Sequence, residues 1–542
     1  MCKKFLAVLC VLTMMASLVA CGKTGDQPSK ESSNSATQSS EKQSSETKSS
    51  EVVEELKEPV VIDYWYCNFV GEQEYTKEVE DKLNEILANT EGYEHISINL
   101  VPCASYATDL ALAQASGEKL DVVSLACLTD VNSQILNGAF IPLDDLVAAN
   151  PEIAEDLPDW FLNFGRLNNQ LWYIPNYQQC ANKYYFWTPT EYFEQSGYTY
   201  DEVQEILFEK DFEKVAKFFE DYILAVREYT GKDTKYIWQD IISNRGVWIQ
   251  QSNECLNIGS GAVYYWDIEN ECVAFSFDHE DIQKGWLQNG EWYAEGLMYE
   301  HSLTDTERMS DTAMLDDYSY VINYTSGYGT PEMVEEVYGS QYGYDVTAFD
   351  LHESVYISEK NAAGGVGISA SCEHPEEAAK VIALLFNSKY SDFYNTLSWG
   401  LEGIHYEKNA DGTIKTLEFD GPLGGANTTY CYWSWVGGNT FNACLNQSQT
   451  KEQREYIINE INESDKTIKS PLMGISFDTT SLETEIAQIL AVIKEYVPNL
   501  KHGVMGKDTE NYMNEFLDKL ETAGVQKVLD ELNVQADAFL GR

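Results

Sequence analysis

Val60-Val61-Ile62-Asp63-Tyr64-Trp65-Tyr66 predicts the first strand of the fold, because it is short, rich in β-branched and aromatic residues, and preceded by Pro59. Residues 79–87 then place Val and Leu side chains at helical spacing. Residues 95–101 and 120–125 predict two further strands with a second helix between them. This alternation of strand and helix predicts an α/β lobe built on a parallel sheet.

Two loops of this lobe are candidates for ligand contact, residues 67–71 and 126–130. Each follows a predicted strand, and the carboxyl ends of parallel strands are where such sheets bind ligands. Asp130 in the second loop can contact a ligand or cap the helix that begins at Val131. A single carboxylate can do both.

Beyond Tyr177 the pattern changes to aromatic-rich helices, with residues 212–226 as the main example. Further predicted elements are a strand at 365–369, a helix from Pro375, a hairpin at 406–419 around Asp411-Gly412, and helices at 483–496, 511–520 and 525–540.

The N-terminal stretch has the layout of a secretory signal. Lys3 and Lys4 precede an apolar run that ends at Leu18-Val19-Ala20-Cys21. That ending resembles the lipobox of bacterial lipoproteins, in which the Cys thiol is acylated and becomes the first mature residue. The alternative is an ordinary signal that happens to contain a cysteine. Residues 21–58 are polar and Ser-rich, and we expect them to form a disordered tether after a signal peptide at 1–20.

Composition excludes some partners. The chain of 542 residues has a formal net charge of −52, which argues against nucleic acid and anionic lipid headgroups as ligands. Its length is too great for one core, so we expect two lobes. The 35 Tyr and 12 Trp require a large core, a binding surface or both.

Cysteine and histidine spacing predicts no metal site and no cofactor. Nine cysteines follow Cys21 without CxxC spacing, and we expect mostly buried free thiols. The histidines show neither HxxxH nor HExxH. A cluster of acidic residues could hold calcium, but its spacing differs from an EF-hand loop and favours a solvated acidic helix: Asp305, Asp311, Asp316 and Asp317.

The chain from Val60 to Leu540 resembles the extracellular solute-binding proteins of ABC transporters, family 1, which are related to maltose-binding protein. The matching pieces come in family order: 106–121, 138–146, 171–175, 291–297, 368–386 and 399–406. The last piece and the ending from Tyr496 are similar to a larger lipoprotein branch of Gram-positive bacteria. Cys67 and Asn68 stand where maltose binders carry charged residues, which leaves the ligand unspecified.

The resemblance implies a type II periplasmic-binding-protein-like fold, with two α/β lobes, a hinge and a ligand cleft between them. We expect lobe 1 at 59–176 and 350–397, and lobe 2 at 177–349 and 398–542 with the C-terminal helices. It further implies a monomer that captures a carbohydrate, an oligosaccharide above all, and delivers it to the ABC transporter permease without catalysis. A lipid on Cys21 would be its only membrane contact.

Sugars present apolar faces and hydroxylated rims, so a sugar cleft needs aromatic platforms beside carboxylates and amides. Trp433 and Trp435 are the leading candidates, because residues two apart share one face of a strand and the Gly437-Gly438 pair would leave room beside them. For each aromatic residue, core packing is the alternative. The full set of predicted ligand-binding residues is Trp65, Tyr66, Asn68, Asp130, Tyr177, Gln178, Tyr324, Tyr328, Trp399, Glu402, Trp433 and Trp435.

Two other functions fit the composition. A surface glycoside hydrolase would need two carboxylates across the scissile bond, and the 88 acidic residues supply such pairs by chance. A receptor for a peptide or a cation could use the same fold. Tight binding of sugar without turnover distinguishes the predicted carbohydrate receptor from both.

Overall fold

The structure is a computed structural model that describes residues 57–128, 131–181, 183–231, Leu256, 263–299, Leu303, 323–326, 330–351, 356–357, 364–417, 429–446 and 450–542. The predicted calcium cluster at 305–317 lies outside these residues.

The strands in chain order are β1 (Val60–Cys67), β2 (Ile96–Cys103), β3 (Val122–Ser124), β4 (Arg166–Leu167), β5 (Gln170–Leu171), β6 (Tyr173–Pro175), β7 (Tyr184–Pro189), β8 (Tyr264–Asp267), β9 (Cys272–Phe275), β10 (Asn323–Ser326), β11 (Val346–Asp350), β12 (Tyr356–Ile357), β13 (Gly365–Ile368), β14 (Tyr406–Lys408), β15 (Ile414–Thr416) and β16 (Ile468–Lys469).

The α-helices are α1 (Thr76–Ala88), α2 (Tyr106–Ser116), α3 (Val131–Leu136), α4 (Asp144–Ala149), α5 (Thr190–Phe193), α6 (Tyr200–Glu209), α7 (Phe212–Thr230), α8 (Glu280–Ala294), α9 (Pro331–Tyr342), α10 (Pro375–Phe386), α11 (Ser391–Trp399), α12 (Lys451–Tyr456), α13 (Glu483–Lys501), α14 (Thr509–Ala523) and α15 (Val525–Leu540). In the described part of the chain, every helix is too short or too polar to cross a lipid bilayer.

The first sheet has the order β2-β1-β3-β13-β6. β1 pairs in parallel with β2 and β3, as the βαβ pattern predicts. β13 runs antiparallel to both β3 and β6, which sequence periodicity alone does not reveal. Helix α1 turns Val79, Leu83 and Leu87 toward this sheet, so its apolar face is buried as the spacing predicts.

A second sheet has the order β10-β7-β11, all antiparallel. The ring of Trp187 on β7 stacks on Tyr338 of α9 at 4.3 Å. Helix α7 packs beside this sheet and buries Phe212, Phe218, Phe219 and further apolar residues. Its ends follow ordinary capping chemistry, since the side chain of Asp211 accepts the Lys214 amide and Gly231 takes the left-handed conformation after the last turn.

The buried residues form two large cores. Core 1 contains the first sheet, α10, α11 and residues of 430–461. Core 2 contains α6 to α8, the β8–β9 hairpin and the terminal helices α13 to α15. Two cores in one chain are the arrangement that its length predicts.

The chain passes between the cores after Ala181, after Leu351 and after Ile461. Tyr430, Tyr432 and Val436 belong to core 1, although the sequence analysis assigns 398–542 to the second lobe. The reason is that this segment packs against β1, although more than 360 residues separate the two in sequence. We therefore propose that the third crossing lies between Ile461 and Leu472 rather than after Leu397.

The cysteines within the described residues are free thiols. Cys67, Cys103 and Cys180 are buried, Cys127 is exposed, and the others are half-buried: Cys272, Cys372, Cys431 and Cys444. The described cysteines are free, as expected, but the expectation that most of them are buried is wrong. Several lie on loops at the edges of the cores. Cys255 lies outside the described residues.

Candidate functional site

Three aromatic side chains meet at the carboxyl end of β1. The ring of Phe69 lies 6.2 Å from Trp433 in an edge arrangement of 72°, and 6.2 Å from Trp435 at 32°. Phe69 is 52% exposed, whereas both tryptophans are half-buried against core 1. We call these three residues the aromatic corner, and it offers apolar ring faces to solvent at the sheet edge where α/β proteins bind ligands.

The tryptophans stand on a short loop, residues 430–438, that we call the aromatic loop. Side chains of core 1 hold its carbonyls: Tyr394 Oη donates to Ser434 O at 3.2 Å, Asn176 Nδ2 to Trp435 O at 2.8 Å, and Ser124 Oγ to Val436 O at 2.5 Å. The hydroxyl of Tyr432 donates to Gly437 O at 2.9 Å. Such fixed hydrogen bonds set the ring positions before any ligand arrives.

The loop that carries Phe69 is tied to the aromatic loop. Asn68 Nδ2 donates to Cys431 O at 3.0 Å, and the Cys431 amide donates to Gln73 Oε1 at 2.6 Å. The Tyr75 amide donates to Thr429 O at 2.9 Å. The aromatic corner is therefore joined across two loops that lie far apart in sequence.

The aromatic loop differs from its prediction in two ways. Ser434–Val436 form a 3-10 turn, so Trp433 and Trp435 do not share a strand face; Phe69 brings them together instead. The space beside Gly437 and Gly438 is also filled. A Cβ on Gly437 would meet the hydroxyls of Tyr64 and Tyr432, and one on Gly438 would meet the ring of Tyr394.

Tyrosines under the aromatic loop stay neutral. Tyr64 and Tyr432 share a hydrogen bond of 2.9 Å between their hydroxyls, and both are buried. Burial raises the pKa of Tyr64, Tyr394 and Tyr432 well above the ordinary value. Their hydroxyls therefore remain donors that support the loop at any physiological pH.

Three of the predicted ligand-binding residues at the end of β1 are buried in the fold. Tyr66 is fully buried in core 1, and Trp65 is 9% exposed. Asn68 is buried, and its amide holds the two loops together as a positioning residue. Among the described residues, the Nε1 atoms of Trp65 and Trp433 and the hydroxyl of Tyr66 have no hydrogen-bond partner.

Tyr177 and Gln178 lie at the first crossing between the cores. Tyr177 is 5% exposed, its ring contacts Phe161 and Phe441, and its hydroxyl lies 3.4 Å from Glu463 Oε1. The Gln178 carbonyl accepts a hydrogen bond from Asn462 Nδ2 at 2.8 Å. The backbone of Tyr177 also bridges to Asn439, which connects this crossing to the end of the aromatic loop.

The remaining predicted residues are dispersed. Trp399 ends α11 and is half-buried, and its Nε1 has no partner among the described residues. Glu402 is on the surface, 3.6 Å from Lys408 Nζ. Tyr324 lies on β10 opposite Phe186 in the second sheet, so its backbone is away from the first sheet. Asp130 and Tyr328 lie outside the described residues.

Phe69 is the residue that the sequence analysis missed. The signal was available, because residues 67–71 are predicted as a ligand loop and Phe69 is its aromatic member. Among the residues that the structure describes, no cluster of His, Cys, Asp and Glu has the makeup of a metal site. The three rings of the aromatic corner are suited to contact an apolar ring face of a ligand.

The two cores, the three crossings and the site at a sheet edge define a two-lobed type II periplasmic-binding-protein-like fold, as predicted. Solved structures with this fold cover nearly the whole chain. The N-glycan transport solute binding protein NgtS from Streptococcus pneumoniae aligns with a TM-score of 0.68 at 18% identity, over 90% of this chain and all of that one. The S. pneumoniae substrate binding protein FusA, in complex with kestose, gives 0.54 at 15% identity, over 89% of this chain and 100% of that one.

Sequence comparisons agree with the fold. Residues 471–541, which include α13 to α15, match a family described as a domain of unknown function, DUF3502. A carbohydrate ABC transporter substrate-binding protein of Streptococcus pneumoniae serotype 4 is 26% identical over 174 residues. That alignment spans 32% of this chain and only 33% of the relative's length. The predicted resemblance to solute-binding proteins of ABC transporters is confirmed.

Proposed function

We propose that this protein captures an oligosaccharide outside the cell and presents it to the permease of an ABC importer. The observation that carries the proposal is the aromatic corner of Phe69, Trp433 and Trp435 on a loop fixed by side-chain hydrogen bonds. Pyranose rings present C–H faces that pack on aromatic rings, while buried amides and hydroxyls recognise the rims. The net charge of −52 favours an uncharged sugar over an acidic one.

Relatives support the ligand class. Structures with this fold have been solved with Man1GlcNAc, Man5GlcNAc and kestose, and a further one from Bifidobacterium longum infantis is described as an HMO binding solute binding protein. These proteins are named as solute- or substrate-binding proteins. The protein proposed here is likewise a binding protein without catalytic activity, cofactor or metal.

The placement at the cell surface is part of the proposal. Acylation of Cys21 would hold a monomer at the outer face of the membrane through the Ser-rich tether. A flexible chain of that length reaches roughly 30–35 Å, which is enough to let the lobes meet a permease. The ligand-binding set of the proposal contains the aromatic corner and Trp65.

An isothermal calorimetry screen of the full chain tests the function. Neutral oligosaccharides, uronate oligosaccharides, peptides and calcium are titrated separately, and reducing ends are measured after long incubation with each sugar. We expect one neutral oligosaccharide to bind with a micromolar or lower dissociation constant and to release no reducing ends. Binding of peptide or cation alone, or release of reducing ends, would contradict the proposal.

A further inference from the structure

Two cysteine thiols meet beside the aromatic corner. Cys67 is the last residue of β1, and Cys127 follows the neighbouring parallel strand β3 by three positions. The two strands are in register at Trp65 and Val123, so their carboxyl ends lie side by side. Cys67 is buried and Cys127 is exposed, and the two thiols lie close enough for each to shift the pKa of the other.

The turn that presents Cys127 has an unusual backbone. The Leu128 amide donates to Leu125 O at 3.4 Å, which closes a turn with Cys127 at its third position. Cys127 has φ of 65°, a left-handed conformation that normally belongs to glycine or asparagine. A non-glycine residue held in this region indicates that its surroundings impose the conformation.

Neighbouring backbone imposes that turn. Gly364 packs so closely that a Cβ there would come within 2.6 Å of the Ala126 amide nitrogen. The Ala126 amide also donates to Ser124 Oγ at 3.3 Å. The residue before Cys127 is thus closely packed against Gly364 and hydrogen-bonded to the end of β3.

We propose that Cys67 and Cys127 form a reversible disulfide in the oxidising environment outside the cell. In the step, the Cys127 thiolate attacks a low-molecular-weight disulfide such as oxidised glutathione and releases one thiol. The Cys67 thiolate then attacks the Cys127 sulfur of the mixed disulfide and expels the second thiol. Two protein thiols are oxidised to one disulfide, and the small disulfide is reduced to two thiols, which take up the two protons that the protein thiols give up.

The roles of the two sulfurs follow from their surroundings. The interaction between the two thiols raises the pKa of Cys67 and lowers that of Cys127. Thiolates are the attacking species, so the exposed Cys127 reacts first and the buried Cys67 resolves the mixed disulfide. Cys103 stands opposite Cys67 on β2, but its thiol donates to its own strand at Val101 O, 3.6 Å away.

Trypsin digestion separates the three candidates. Cleavage after Lys and Arg places Cys67 in 58–77, Cys103 in 83–119 and Cys127 in 120–166. The full chain is purified reduced, exposed to oxidised glutathione, alkylated and digested. We expect a reducible species that joins 58–77 to 120–166, with an intact-mass loss of two hydrogen atoms.

Variants check each role. Cys127→Ser should abolish the joined peptides, while Cys67→Ser should leave glutathione attached to Cys127. Cys372→Ser, a half-buried thiol elsewhere, should behave like the native chain. Peptides that join Cys67 to Cys103, or stable glutathione on Cys127 in the native chain, would overturn the proposal. The peptide map of the oxidised native chain tests the disulfide even where a variant does not fold. It also does not depend on whether the protein binds an oligosaccharide.

Discussion

At the residue scale, Phe69 is the residue whose substitution should affect ligand binding most and fold stability least. Its ring is 52% exposed, so its removal costs the fold little, but it forms one wall of the aromatic corner. Phe69→Ala should weaken binding of the best oligosaccharide by roughly 5- to 30-fold, corresponding to about 1–2 kcal/mol of lost ring contact. Calorimetry measures the affinity and differential scanning calorimetry the melting temperature.

Val70→Ala is the matched control for that prediction. Val70 is the adjacent residue, it is 39% exposed, and it has no ring to stack on a sugar. The affinity of the Val70→Ala variant for the same oligosaccharide should stay within about twofold of the native value. If Phe69→Ala binds as tightly as Val70→Ala, the aromatic corner is not the sugar platform.

Substitution of Gly437 tests how closely the aromatic loop packs on the tyrosines beneath it. A methyl group there would meet the hydroxyls of Tyr64 and Tyr432, which are already hydrogen-bonded to each other. Gly437→Ala should lower the free energy of unfolding by about 1–3 kcal/mol through overpacking, as measured in urea. Gly339→Ala is the control, since a Cβ there makes only an ordinary contact of 3.4 Å with the Tyr344 carbonyl, and it should be neutral or stabilising.

At the scale of elements, the π-helical turn Ile457–Asn462 ends at the third crossing and is joined to the first. Asn462 is fully buried, its Oδ1 accepts the Cys180 amide at 2.8 Å, and its Nδ2 donates to Gln178 O at 2.8 Å. One side chain therefore satisfies two backbone groups of the first crossing. The elements that join the cores are fixed to each other rather than independent.

Asn462→Ala should leave the Cys180 amide without its acceptor, while the Gln178 carbonyl loses the Asn462 amide but keeps the Cys180 thiol as a donor at 3.2 Å. We expect the free energy of unfolding to fall by about 1–3 kcal/mol, mainly because of the unpaired Cys180 amide, and hydrogen exchange at that amide to be faster. Asn511→Ala is the control, because Asn511 is exposed and bonds only to Asp508 through its side chain among the described residues. Unchanged exchange at Cys180 in Asn462→Ala would contradict this role.

The elements also show what the sequence could predict. Local signals were sufficient for β1, α1, the β14–β15 hairpin and the terminal helices, because periodicity and turn chemistry act within a few residues. The antiparallel direction of β13 and the turn at Ser434–Val436 depend on contacts with distant strands and tyrosines. For the same reason the aromatic corner was predicted in part, with both tryptophans identified and Phe69 missed.

At the scale of the whole molecule, two cores with three crossings should close around ligand. Closure requires more favourable contacts in the closed state than in the open one, and a sugar between the lobes supplies them. Small-angle scattering of the full chain should give a smaller radius of gyration with the best oligosaccharide than with a non-binding sugar. Identical curves at saturation would mean that binding does not close the lobes.

Attachment to the membrane is a separate prediction. Because Cys21 follows Leu18-Val19-Ala20, the native chain should incorporate labelled fatty acid and enter the detergent phase on partitioning. Cys21→Ser should abolish the label and either release the protein or leave it unprocessed. Lipid-labelled product from Cys21→Ser would place the acylation elsewhere, and Cys2→Ser serves as the control.

The hydrogen bond between Tyr64 and Tyr432 joins residues 368 positions apart, and it has a consequence for the timing of folding. At a synthesis rate of about 5–20 residues per second, the partner of β1 appears roughly 20–70 s after β1 itself. Until then Tyr64 lacks its Tyr432 partner, so this part of core 1 forms late. Late folding of core 1 would suit the export that the N-terminal signal predicts, and the N-terminal half alone is expected to aggregate rather than fold.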